Sequence, residues 1–574
     1  MNSVFSIIFF VIIGIGEVFS QSQTPWLGAG KEVDPYHYTQ VKHEFYQNAA
    51  VSCAHPLASL IGAQIMKRGG NAFDAGIAVQ LALAVVYPAA GNIGGGGFLI
   101  AKKATNEFLA IDYREVAPGR ASKNMYLDKD GNAQLDLSQN GRLASGVPGT
   151  IAGIFSTLPA AKLNFKILIQ PAIDLAANGY VITEREANSL NSNQKAFIKN
   201  NSYSPAFVKS AAWKAGDTLF QPELAATLTR IKENGAKGFY EGETAKLIAE
   251  EMQRGNGIIT VEDLKNYQAK IRKPLSFNYG GYQIHGFPPP SSGGIILLQM
   301  MKMVENTQQL KKGFQSPEAT QIMIESERRA YADRAEHLGD PDFWKVPIKA
   351  LSNEQYISKR MSDFTPGIAS KSSQVKAGDI KESEETTHIS IYDKEGNMVS
   401  ITTTLNGGYG SKTVVKGAGF LLNNEMDDFS VKPGVANMFG AVGGEANSIQ
   451  PGKRMLSSMC PVIVTKNGKP VIVVGTPGGT TIPTSVFQAL MNVLEFNMNT
   501  DDAINQPKFH HQHLPDEVFI EPGFPDKLKT SLNSMGYKLT NRNSIGKTEL
   551  IYIHGNKKIE AAADRRGDDS VAGY

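Results

Sequence analysis

The run from Phe73 to Val86 is almost wholly apolar and long enough for about four helical turns. A helix apolar on all sides cannot lie on a surface, so the fold must provide a layer that buries it. Just upstream, His55 to Lys67 carries helical apolar spacing at Leu57, Leu60, Ile61 and Ile65 and stops at Gly69-Gly70, glycines of the kind that follow a helix end. The segment before about Gln47 reads as a linker. Phe98 to Ala101 and Phe108 to Tyr113 read as paired strands, which sets Arg114 at a strand end where its guanidinium can point into a cleft. Residues 150 to 340 are dominated by helical patterns, among them Glu223 to Asn234, Thr244 to Arg254 and Ala319 to His337, with another helix opening at Ile295. From residue 386 the pattern turns to strands, then to a helix after Gly479 (Val486 to Leu494) and a further αβ segment. A run of helices followed by a run of strands indicates an α+β chain.

At 574 residues the chain is longer than one hydrophobic core usually supports, so length alone predicts two or more domains. A net charge of +3 with 20% charged residues lacks the concentrated basic field of a nucleic-acid binder. The apolar stretch Val4 to Gly16 is too short to cross a hydrocarbon core of about 30 Å. It predicts a secretory signal peptide over residues 1–20, cleaved before Gln21, with no stable membrane span and a periplasmic or secreted product. Only Cys53 and Cys460 are present, too few for a disulfide framework; an oxidising compartment would allow the two to pair, but two separate buried thiols are expected.

Glu385-Thr386-Thr387-His388 lies between a charged loop and the alternating run Ile389-Ser390-Ile391-Tyr392, the first strand of a hairpin closed near Asp393 to Asn397. A threonine hydroxyl is a weak nucleophile at neutral pH. Cutting the bond before Thr386 would give the same residue an α-amine of pKa about 7.7 to 8, a base placed beside its own hydroxyl.

Further motifs follow in order: Thr402-Thr403-Thr404-Leu405-Asn406, Leu421 to Ser430 (LLNNEMDDFS), Arg454 to Met459 (RMLSSM) and Gly475-Thr476-Pro477-Gly478-Gly479. Upstream stand Gly69 to Ala75 (GGNAFDA), Asn92 to Phe98 (NIGGGGF) and Asp112-Tyr113-Arg114-Glu115. Together with Thr386-Thr387-His388, over roughly residues 45 to 570, this series resembles the γ-glutamyltransferase (γ-glutamyltranspeptidase) family of N-terminal-nucleophile hydrolases. The resemblance implies one compact four-layer αββα sandwich made of two autoprocessed chains, a large subunit of residues 21–385 and a small subunit of residues 386–574, cut between Glu385 and Thr386. It also implies an enzyme that passes the γ-glutamyl group of glutathione and related amides to water, amino acids or dipeptides, without a cofactor.

By the same resemblance Thr386 is nucleophile and base, and Thr404 orients its hydroxyl. Gly478 and Gly479, between a strand-like run and a helix, present backbone N–H groups to an oxyanion. Arg114 with the hydroxyls of Ser457 and Ser458 would clasp the substrate α-carboxylate, while Glu425, Asp428 and the Asn406 amide would receive its α-ammonium. Pro433 to Gly440 resembles a lid loop in which Phe439 stands where some members carry tyrosine, which implies a looser lid. Gly94 to Gly97 read as close packing of strand and helix. The triad His510-His511-His513 is not expected to bind metal, since neighbouring side chains on an extended segment face opposite ways. Gly407 to Thr413 lacks the Gly-Lys-Ser/Thr ending of a phosphate loop. Rival readings are an amidase of the same architecture with another acyl specificity, such as a cephalosporin acylase or a poly-γ-glutamate processing enzyme, and a secreted amino-acid-binding protein that kept the pocket and lost the chemistry.

Overall fold

Two seven-stranded antiparallel sheets stack face to face in the computed structural model, which describes residues 25–305, 307–375, 386–432 and 444–574. The expected signal peptide, Glu385 and the expected lid segment with Phe439 lie outside the described residues. Counting only the strands of these two sheets, β1 is His43–Tyr46, β2 Ala50–Cys53, β3 Gly96–Lys102, β4 Phe108–Asp112, β5 Lys270–Arg272, β6 Leu275–Tyr279 and β7 Tyr282–Gly286. The second half supplies β8 Thr387–Tyr392, β9 Met398–Thr404, β10 Val462–Lys466, β11 Lys469–Gly475, β12 Glu549–Ile553, β13 Ile559–Ala563 and β14 Ser570–Gly573. One sheet has the order β1-β13-β12-β11-β10-β7-β6, the other β14-β2-β8-β9-β3-β4-β5.

Both sheets combine strands from before and after residue 386. The hairpin β8–β9 is flanked by β2 on one side and β3 on the other. A cut before Thr386 therefore divides the chain without dividing the fold. The expectation of separate domains from length fails for this reason, and a single αββα sandwich stands in its place.

The apolar helix occupies Ala72–Val86, and all of its residues are buried. Asn71 and Asp74 close its start with a reciprocal capping box. It packs against the outer face of β8 and β9, where Gly76 faces Ile401 and Val399. Beside it Pro56–Lys67 covers β2 and β14. On the far face, Gly293–Val304 lies on β6 and β7, with Pro317–His337 and Thr481–Leu494 packed around it. Cys53 and Cys460 are free thiols buried in the two different cores.

Three local expectations need correction. His43–Tyr46, within the supposed linker, is an edge strand paired with β13. The hairpin β6–β7 lies inside the stretch that reads as helical. The helix after Gly479 begins at Thr481 rather than at Val486. Its first turn is stabilised by hydroxyl groups, Thr481 Oγ1 donating to Gly478 O (2.7 Å) and Thr484 Oγ1 to Thr481 O (3.0 Å), so polar β-branched residues serve where an apolar period was sought.

Candidate active site

Thr386 immediately precedes β8 and is almost fully buried. Thr387 pairs with Thr403, so the next step of the register sets Thr386 opposite Thr404. Thr404 Oγ1 accepts the N–H of Asn406 at 2.7 Å. Asn92 holds this strand end from the other side: its Nδ2 donates to Thr404 O (2.8 Å), while its Oδ1 accepts from Gly95 N (3.0 Å) and Thr150 Oγ1 (2.7 Å). Gly94 to Gly97 let the backbones meet, because a Cβ on any of the four would overlap a backbone carbonyl oxygen.

The imidazole of His388, the residue after Thr387, lies between the sheets. It is hydrogen-bonded through Nδ1 to Thr402 Oγ1 (2.9 Å) and through Nε2 to Ser390 Oγ (3.1 Å). Burial lowers its pKa to about 3, so the ring is neutral at working pH and acts as a spacer rather than an acid or base. Gly475 sits directly against this ring, where a Cβ would overlap it. That contact brings the end of β11, and with it Gly478 and Gly479, beside the start of β8.

Both of those glycines have positive φ, +134° and +57°. Their carbonyls accept the first N–H groups of the following helix, Thr481 N to Gly478 O (3.0 Å) and Ile482 N to Gly479 O (3.2 Å). Neither glycine N–H donates to a group among the described residues. Two unspent donors at a helix start are what a developing oxyanion requires.

The charged residues converge on Arg114. Its guanidinium, 1% exposed, ion-pairs with both Glu425 and Asp428, and donates to the carbonyls of Met455 and Leu456 at 3.3 Å. Glu115, which sequence reasoning quoted but gave no role, is wholly buried and 3.6 Å from the same guanidinium. One cation thus faces three carboxyl groups. Burial pushes Glu115 up to about 7 against the pull of Arg114, and burial likewise raises Glu425 and Asp428. Both oxygens of Glu115 and Oε2 of Glu425 accept no hydrogen bond among the described residues. Asn406, at φ +73°, donates from Nδ2 to Asn424 O (3.0 Å), which leaves its Oδ1 as acceptor. Ser457 and Ser458 follow the Arg114-bound carbonyls of Met455 and Leu456, and Ser457 is bridged to Ser291.

Carboxyl groups that hold protons more tightly when folded stabilise the fold fully below their unfolded pKa of about 4.5, and that contribution is lost as pH rises through the folded values. We expect the melting temperature of the parent to fall more between pH 5 and pH 8 than that of Glu115→Gln, read by calorimetry; parallel curves would show that Glu115 does not titrate in this range.

The histidines at 510, 511 and 513 are buried among protein partners. His510 bonds Thr484 and Gln512, the His511 N–H reaches Glu327, and His513 bonds the carbonyls of Ser372 and Val375. Among the described residues no group of three or more His, Cys, Asp or Glu side chains is arranged to hold a metal ion, and no helix is long and apolar enough to cross a membrane.

Sequence reasoning missed Asn92, Glu115, His388 and Arg334 as contributors. The first three lay within quoted motifs; Arg334 lies in a long helix where an arginine carries no special signal.

The glutathione hydrolase proenzyme of Escherichia coli (strain K12) is 43% identical over 574 residues, covering 97% of each chain. The crystal structure of Helicobacter pylori γ-glutamyltranspeptidase is 46% identical, covers 56% of this chain and 94% of its own, and superposes with a TM-score of 0.55. The cephalosporin acylase of Bacillus halodurans, at 24% identity, shares the fold with a TM-score of 0.82 over 94% of this chain and 98% of its own. Residues 58–574 match the family model described as Gamma-glutamyltranspeptidase, and the chain belongs to that family.

Proposed function

We propose that this chain is a secreted or periplasmic proenzyme that loses residues 1–20, cuts itself between Glu385 and Thr386, and works as a glutathione hydrolase and γ-glutamyltransferase. The Thr386 hydroxyl first attacks the Glu385 carbonyl; the Glu385–Thr386 C–N bond breaks as the acyl group moves to oxygen, which frees the α-amine, and water then hydrolyses the ester to release the hydroxyl and the Glu385 carboxylate. In turnover the same hydroxyl attacks the γ-amide carbonyl of the donor while the α-amine takes its proton. The oxyanion is received by the N–H groups of Gly478 and Gly479, and the amine returns the proton to the leaving amine. The γ-glutamyl ester then passes to water or to an amino acid or dipeptide acceptor. Thr404 orients the nucleophile.

The observation that carries the substrate reading is the buried cluster around Arg114, with its unfilled carboxyl oxygens. An isolated buried charge is costly, so a ligand entering here must exchange charge for charge. An α-amino acid head group does so: its carboxylate takes Arg114 with Ser457 and Ser458, and its ammonium takes Glu425, Asp428 and Asn406 Oδ1. A glutaryl group brings no ammonium for those carboxyls, which disfavours the acylase reading.

Incubation of the purified protein with glutathione should yield cysteinylglycine and glutamate, and a γ-glutamyl dipeptide once an amino acid acceptor is added. Chromatography showing intact glutathione after complete self-cleavage would overturn the substrate assignment.

A further inference from the structure

Arg334 lies on the helix Pro317–His337 and is almost fully buried. Its Nη2 donates to Ser458 Oγ and its Nε to Ser292 Oγ, each at 3.0 Å. Ser292 in turn grips the neighbouring residue, its N–H and its hydroxyl both donating to Ser457 O at 2.7 and 2.8 Å. A guanidinium can only donate, so Ser458 Oγ is the acceptor in this pair and its own proton is directed away from Arg334. The charge of Arg334 also reaches Asp428, where it favours the ionised carboxylate.

We propose that Arg334 is a positioning residue of the donor-carboxylate subsite, a second cation that turns the Ser458 hydroxyl toward the substrate and offsets the carboxyl groups crowding Arg114. The inference rests on the reading of Ser457 and Ser458 as carboxylate ligands. Its consequence is specificity: Arg334 matters for donors that carry an α-carboxylate and little for those that lack one.

The test compares γ-glutamyl-p-nitroanilide with 4-aminobutyryl-p-nitroanilide, the same donor without its carboxylate, on self-cleaved protein. Arg334→Gln should raise KM for the first donor by about 10- to 100-fold, the range of a lost charge-assisted contact, with kcat within about threefold. The second donor should be nearly unaffected. Arg334→Lys should recover part of the loss, and adding Ser458→Ala to Arg334→Gln should cost little more, because both act on one contact. Equal losses on both donors would overturn the proposal, as would failure of both Arg334 variants to fold and self-cleave, since either result makes the residue structural. If Ser458→Ala raises KM for the carboxylate donor while Arg334→Gln does not, Arg334 alone is excluded. If Ser458→Ala has no effect on that donor, the serine reading itself fails.

Discussion

Thr386→Ala should leave a single chain of about 60 kDa, at about 110 Da per residue, and reduce turnover of γ-glutamyl anilides to background. The parent should give two bands of about 40 and 20 kDa, at about 110 Da per residue. In the proposed mechanism one hydroxyl serves both the cut and the acyl transfer, so its removal should abolish the two together. Thr386→Ser, which keeps the hydroxyl, should still cut and turn over. The cut parent should nonetheless elute in size-exclusion chromatography as one particle, because β8 and β9 are hydrogen-bonded between β2 and β3, and β10 to β13 lie between β7 and β1. Full activity from a preparation whose residue 386 is still joined to its predecessor would defeat the mechanism.

The parts of this fold that were legible in the sequence are those whose signal is local. The helix Ala72–Val86 announces its burial by having no polar face, and the hairpin β8–β9 by alternation around a turn-rich loop. The strands β6 and β7 also alternate, with Leu275, Phe277 and Tyr279 more buried than Ser276 and Asn278 about a Gly280-Gly281 turn. Each is only five residues long inside a helical region, and so was outweighed. The site divides in the same way. Thr386, the glycine pair and Arg114 stand in long motifs. The crowding of Glu115, Glu425 and Asp428 around one guanidinium depends on pairing between residues about 310 apart. No spacing rule reports that three carboxyl groups and one cation will share a buried space, and the partial protonation that results follows only from their burial.

Gly478→Ala should lower kcat by about 10²-fold or more while changing KM little, because in the proposed mechanism the N–H groups it displaces serve the oxyanion rather than the bound ground state. Two obstacles act at this position. Its φ of +134° is a conformation that a side chain resists, and a Cβ there would overlap Thr481 Oγ1 and lie 3.3 Å from Gly546 Cα. Thr481 cannot easily yield, because its hydroxyl and its N–H both bond Gly478 O, at 2.7 and 3.0 Å. The strain must therefore be relieved by moving the loop, and with it the two amides. Replacing Thr481 by alanine in the same chain removes the overlap but leaves the backbone strain, so it should recover part of kcat and no more. Steady-state kinetics of the self-cleaved single and double variants decide the matter: a Gly478→Ala enzyme within about threefold of the parent kcat would mean that the transition-state charge is received elsewhere.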